Sequence, residues 1–137
     1  MITNQSAIAK GQLNFKKLNN MHKEFLTLTS QNMIKIYKIY FCPHHPNKGF
    51  KGEIKSLKIN CNCRKPNNGL IEDAIKEFNI NRKKSYFIGN HERDFLAAKK
   101  SKIKYLNINS GKYKKIDKYK EFKNLLVAIE YIRSSRS

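Results

Sequence analysis

An α/β fold built on a parallel sheet is predicted by two observations. Short runs rich in β-branched and aromatic residues alternate along the 137 residues with amphipathic helical stretches. Two polar turns, Thr3-Asn4-Gln5-Ser6 and Gly89-Asn90-His91-Glu92-Arg93-Asp94, fall where such a sheet carries its chemistry, at the carboxyl ends of strands. No internal repeat or low-complexity linker divides the chain. The expectation is one domain over residues 1–137, a doubly wound parallel sheet with a loop inserted at 42–63.

Taken in order, residues 12–31 place Phe15, Leu18, Met21, Phe25 and Leu28 at steps of three and four, the mark of a one-faced helix. The run Ile34-Lys-Ile-Tyr-Lys-Ile-Tyr-Phe41 reads as a strand leading into Cys42. Gly69 to Phe78 predicts a short helix with Leu70, Ala74, Ile75 and Phe78 inward. Residues 85–89 predict a buried strand, Asp94 to Lys100 the helix after it, and 105–109 another strand. Glu121 to Ile132 predicts a last helix with Phe122, Leu125, Leu126, Ile129 and Ile132 on its apolar face.

The loop from Cys42 to Pro66 holds every cysteine of the chain, together with His44 and His45. Three cysteines cannot pair off completely as disulfides. A Cys-x-His at 42–44 and a Cys-x-Cys at 61–63 instead offer three thiolates and one imidazole, the soft set zinc takes as a tetrahedron. Cys42, His44, Cys61 and Cys63 are therefore the candidate zinc ligands, with His45 as the alternative to His44. Free buried cysteines beside an exposed His-His pair remain the structural alternative. Four protein ligands leave no open position for water, so such a metal is scaffold and not catalyst. Without a signal peptide or an unbroken apolar run of membrane-spanning length, the expectation is a cytoplasmic protein with reduced thiols and no membrane partner.

Lys and Arg number 29 against 10 Asp and Glu, a formal net charge of +19. That excess raises the prospect of a nucleic-acid partner. The lysines are spread along the whole chain, however, and neither a helix-turn-helix nor an aromatic RNA-binding motif accompanies them. The expected contact with nucleic acid is nonspecific and salt-sensitive.

Three stretches, residues 2–11, 42–70 and 85–98, together resemble the haloacid-dehalogenase (HAD) superfamily of phosphatases. The closer resemblance is to its heptose-bisphosphate and histidinol-phosphate phosphatase branch, because Arg64-Lys65-Pro66 directly follows the cysteine loop. The resemblance implies a Mg²⁺-dependent phosphomonoester hydrolase acting on a sugar phosphate in the heptose supply for lipopolysaccharide. By that resemblance Thr3 and Lys65 are catalytic, Thr3 as the hydroxyl that hydrogen-bonds the phosphoryl group and Lys65 as the cation that neutralises it. Asn4, Gln5 and Arg64 join them in substrate binding, and Asn90 and Asp94 take the Mg²⁺ positions. The zinc ligands match the structural site of the substrate-covering loop, and zinc at Cys63 would brace the backbone that aims Lys65. Lysine, hydroxyl and metal around one point is also the set that phosphoryl transfer needs on physical grounds, since that reaction depends on charge stabilisation.

The family works through an Asp-x-Asp motif that supplies an aspartyl-phosphate nucleophile and a general acid. No Asp-x-Asp occurs in these 137 residues, and Asn90 stands where the family has an aspartate. The expectation is an incomplete, Rossmann-like HAD domain, monomeric when complete, lacking the N-terminal segment and inactive by itself. That segment would be encoded separately in a split protein. Two other readings stay open: a histidinol-phosphate phosphatase, and a non-catalytic, zinc-bearing basic binding module.

Overall fold

The computed structural model describes residues 1–109 and 120–135. It divides into two compact units, Met1–Arg64 and Lys65–Ser137.

In the first unit, strand β1 (Ile2–Asn4) pairs in parallel with β2 (Tyr40–Cys42), placing Thr3 beside Phe41 and Asn4 beside Cys42. A parallel pair needs a long crossover, here the short helix α1 (Ser6–Ala9) and the helix α2 (Phe15–Gln31). Asn14 starts α2 by accepting a hydrogen bond from the Lys17 amide at 2.8 Å. The strand predicted over 34–41 shortens to Tyr40–Cys42, because a parallel ladder is only as long as its partner and β1 has three residues. The apolar stripe of α2 exists but is mostly uncovered. Leu18 is fully buried, whereas Phe15, Met21, Phe25 and Leu28 are exposed. With Leu18, the core of this unit holds Ile8, Ala9 and Cys42.

One glycine fixes how the cysteine loop lies. Gly11 has φ +72°, and a Cβ there would stand 1.9 Å from the carbonyl oxygen of Gly52. The Ile54 amide donates to the Ala9 carbonyl at 3.0 Å in the same region, so the middle of the loop rests on the turn after α1.

In the second unit, β3 (Tyr86–Gly89), β4 (Lys104–Ile108) and β5 (Glu121–Phe122) form a parallel sheet in that order. Helix α3 (Gly69–Phe78) ends where Asn79 turns left-handed at φ +48°. Its buried residues are Leu70, Ile71 and Ala74, while Phe78 is exposed. Helix α4 (Glu92–Lys100) makes the crossover from β3 to β4 and buries Ala97 and Ala98 completely. Leu106, Phe122 and Ala128 form the core, with Tyr86, Ile88, Tyr131 and Ile132 packed against it.

The predicted helix over Glu121–Ile132 divides in two. Glu121 and Phe122 pair with β4, and α5 (Leu125–Ser134) begins only after Asn124, whose side chain accepts from the Val127 amide at 3.0 Å. That start presents Ala128, Tyr131 and Ile132 to the core. Leu125 and Leu126 are left exposed, contrary to the periodicity reading. Among the described residues, no helix is long and apolar enough to cross a membrane.

Candidate functional site

Parallel pairing of β1 with β2 places the Thr3-Asn4-Gln5 turn beside Cys42, and the Gln5 amide donates to the Cys42 carbonyl at 2.8 Å. From Cys42 the chain reaches His44 two residues later and returns through Cys61 and Cys63. The four ligand atoms of Cys42, His44, Cys61 and Cys63 lie within 4.8 Å of one another. Sulfur–sulfur separations are 3.5 Å for Cys42–Cys61, 2.9 Å for Cys63–Cys42 and 3.3 Å for Cys63–Cys61. His44 Nδ1 stands 3.6 Å from the Cys42 sulfur and 3.2 Å from that of Cys63.

A zinc tetrahedron with metal–sulfur bonds of about 2.3 Å has edges of about 3.7 Å. The set is therefore a slightly contracted tetrahedron, and it fits the metal. All three cysteines are free of disulfides. Burial pushes the Cys42 and Cys63 thiols up. Burial opposes ionisation at Cys61 too, but hydrogen bonds from Cys63 and Cys42 outweigh it and bring that thiol down. Three thiolates at this spacing need a dication among them, since metal binding displaces their protons. Of the two histidines, His44 belongs to this cluster and His45 does not: the His45 ring lies against Phe50, its Nδ1 3.5 Å from the Asn47 carbonyl.

Arg64 ends the first unit by donating from Nη1 to the His44 carbonyl at 3.1 Å, so the guanidinium packs on the backbone of the metal loop. Thr3 lies in β1, with Asn4 closing that strand and Gln5 following it.

In the second unit, Lys65 Nζ pairs with Asp94 Oδ1 at 2.7 Å, and both side chains are about nine-tenths buried. Phe87 on β3 supports the ammonium, its ring centroid 5.7 Å away. Asp94 occupies the first turn of α4, where a carboxylate suits the helix dipole. Its Oδ2 accepts from the Asn90 amide at 3.3 Å. Gly89 makes this approach feasible: a Cβ there would meet the Asp94 side chain at 2.6 Å. Here the need is for space, not for an unusual backbone angle.

Asp94 and Asn90 would offer Mg²⁺ one carboxylate and one amide oxygen. That is part of a set, and it fits an ion that habitually takes one or two carboxylates and completes its octahedron with water and phosphate oxygens. Sequence reasoning overlooked the polar residues that hold the segment after Lys65, namely Asn67, Asn68, Glu72, Arg82 and Ser101.

A family model described as HAD-hydrolase-like matches residues 62–130. The chain is also 35% identical over 135 residues to a D-glycero-alpha-D-manno-heptose-1,7-bisphosphate 7-phosphatase of Campylobacter jejuni, covering 96% of this chain and 69% of that protein. The chain belongs to the HAD-like hydrolase family. Its identity to a D-glycero-beta-D-manno-heptose-1,7-bisphosphate 7-phosphatase of Pasteurella multocida is 37% over 111 residues, 76% of this chain and 54% of that protein. This HAD-like chain thus spans about half the length of several curated relatives it matches. In structure it superposes on the D,D-heptose 1.7-bisphosphate phosphatase of B. bronchiseptica, solved with magnesium and phosphate. That match has a TM-score of 0.78 at 21% identity and covers 98% of this chain and 73% of the other. The family and the α/β fold are those expected from the three sequence stretches.

Proposed function

We propose that this HAD-like chain carries the phosphate-neutralising and zinc-scaffolding part of a sugar-phosphate phosphatase whose substrate class is a D-glycero-D-manno-heptose 1,7-bisphosphate. The observation that carries the reading is the buried Lys65–Asp94 pair at the carboxyl end of β3. It follows directly in sequence on the Cys42, His44, Cys61 and Cys63 cluster. The relatives' names supply the substrate class, and because they divide between alpha and beta anomers, the proposal stops at the sugar bisphosphate.

Lys65 presents a compact positive charge whose position is held by Asp94 and Phe87. Its task is to meet the phosphoryl oxygens as their charge rearranges. The Thr3 hydroxyl, with Asn4 and Gln5 beside it, has its phosphate-binding role from the family pattern, as does Arg64. Asp94 and Asn90 would hold Mg²⁺, which supplies positive charge to phosphate oxygens and relieves Lys65 of neutralising Asp94. The zinc site maintains the loop, and its thiolates suit a reducing, cytoplasmic setting. No Asp-x-Asp motif is present to act as nucleophile and general acid. Asp94 is already engaged by Lys65 and the Asn90 amide.

Calorimetric titration with inorganic phosphate tests the reading. Binding should depend on Mg²⁺ and fall about tenfold or more in Lys65→Ala, the loss expected for a hydrogen bond to a charged group. The chain itself should hydrolyse heptose bisphosphate negligibly, and a strand bearing the family's Asp-x-Asp motif, supplied in cis or in trans, should bring turnover. Phosphate binding indifferent to both Mg²⁺ and Lys65, or vigorous turnover by these 137 residues, would overturn it.

A further inference from the structure

The segment that carries Lys65 is tied down along the whole length of α4. At the start of that helix, Asp94 takes the Lys65 ammonium at 2.7 Å. At its end, Lys100 Nζ donates to Asn67 Oδ1 at 2.9 Å, and Asn68 Nδ2 reaches the Ser101 hydroxyl at 3.1 Å. Asn68 Nδ2 also lies 3.1 Å from Glu72 Oε1. Glu72 in turn is gripped by both arms of Arg82, at 2.9 Å and 2.6 Å, and Arg82 Nη1 donates to the Ser101 carbonyl at 2.7 Å. Ser101 is completely buried.

We infer that Asn68 and Arg82 are positioning residues that clamp the Lys65-Pro66-Asn67-Asn68 segment to the carboxyl end of α4, and so set where the Lys65 ammonium stands. This rests on the reading of Lys65 as the phosphate-neutralising lysine. The physical case begins with the side chain itself. A lysine has a long, rotamer-rich stem, and its ammonium keeps one place only if both its backbone and its partner are fixed. Asp94 and Phe87 fix the head. The backbone needs an anchor of its own, and the ties to α4 provide it on the same rigid helix that carries Asp94.

The arrangement has the form of a positioning device more than of a store of stability. Arg82 and Glu72 are more than a third exposed, and water screens their attraction. What a bidentate fork adds is orientation: it holds the Glu72 carboxylate where Asn68 can donate to it, and keeps the same guanidinium on the Ser101 carbonyl. The sequence expectation assigned this bracing to zinc at Cys63. The clamp consists of protein groups and lies entirely within the second unit.

Lysine acetylation read residue by residue by mass spectrometry tests the inference on the zinc-loaded chain. In Arg82→Gln and Asn68→Ala, Lys65 should be labelled about fivefold faster, the size expected for loss of one neutral hydrogen bond, while Lys76 and Lys99 keep their rates. Arg82→Lys, which retains the charge but not the fork, should fall between parent and Arg82→Gln. A Lys65 rate unchanged in the milder Asn68→Ala variant, or all three lysines rising together in it, would overturn the clamp. Inorganic phosphate with Mg²⁺, added to the parent, separates the two claims. If Lys65 is not protected there, the phosphate reading fails; if it is protected but indifferent to Asn68 and Arg82, only the clamp fails.

Discussion

The metal loop and the Lys65 site are organised by opposite means. In the first, soft donors of a single loop converge on a point that suits a cation, because three sulfurs lie within 3.5 Å of each other. In the second, residues far apart in sequence meet around a charge that is already balanced, Lys65 by Asp94. The first would be completed by an ion, and the second is completed by the fold. Removing the ion should therefore undo one region, while the other answers only to changes in its packing and pairing.

The largest expected effect is at the metal. Cys61→Ser combined with Cys63→Ser should abolish zinc retention in elemental analysis. It should also release the 42–63 loop from hydrogen-exchange protection, since structural zinc in small sites carries on the order of 10 kcal/mol of folding free energy. His44→Ala should weaken zinc more than His45→Ala, and the reverse order would exchange their roles. Amides of β4 should keep their protection throughout.

The next effect lies in the second unit. Asp94→Ala leaves the Lys65 ammonium buried without its partner, and should cost about 3 kcal/mol in denaturant unfolding. Gly89→Ala should act in the same direction by pushing the Asp94 side chain away, at about 1–3 kcal/mol for an overpacked site. Neither should change zinc content; loss of zinc in either variant would erase the contrast between the two regions.

The smallest effect is a pH dependence at the clamp. The Arg82 guanidinium holds the Glu72 carboxyl down at about 2. A carboxyl depressed in the folded state adds stability that is present above its unfolded value, about 4.3, and is lost as pH falls from there toward about 2. The parent's advantage over Glu72→Gln in denaturant midpoint should accordingly be constant above pH 5 and shrink below it. The change should be modest because the pair is exposed to water. An advantage that grew on acidification would contradict the assigned pairing.

What the sequence by itself determined was whatever depends on near neighbours or on chemical type. The Cys42, His44, Cys61 and Cys63 cluster was legible because all three cysteines and two of the four histidines fall in one loop. The bounds of helix α3 were legible because its apolar spacing is local. The family was legible because three short motifs occur in a given order. Tertiary structure alone decided the rest. The length of β2 depends on β1, which lies more than thirty residues away, and the strand character of Glu121 and Phe122 depends on β4. The uncovered stripe of α2 shows that periodicity marks which face is apolar but not what packs on it. The bonds from Asn68 and Arg82 to Ser101 join residues 33 and 19 positions apart. A polar side chain carries no record of its partner in its own neighbourhood, and only the folded chain brings these groups within hydrogen-bonding distance.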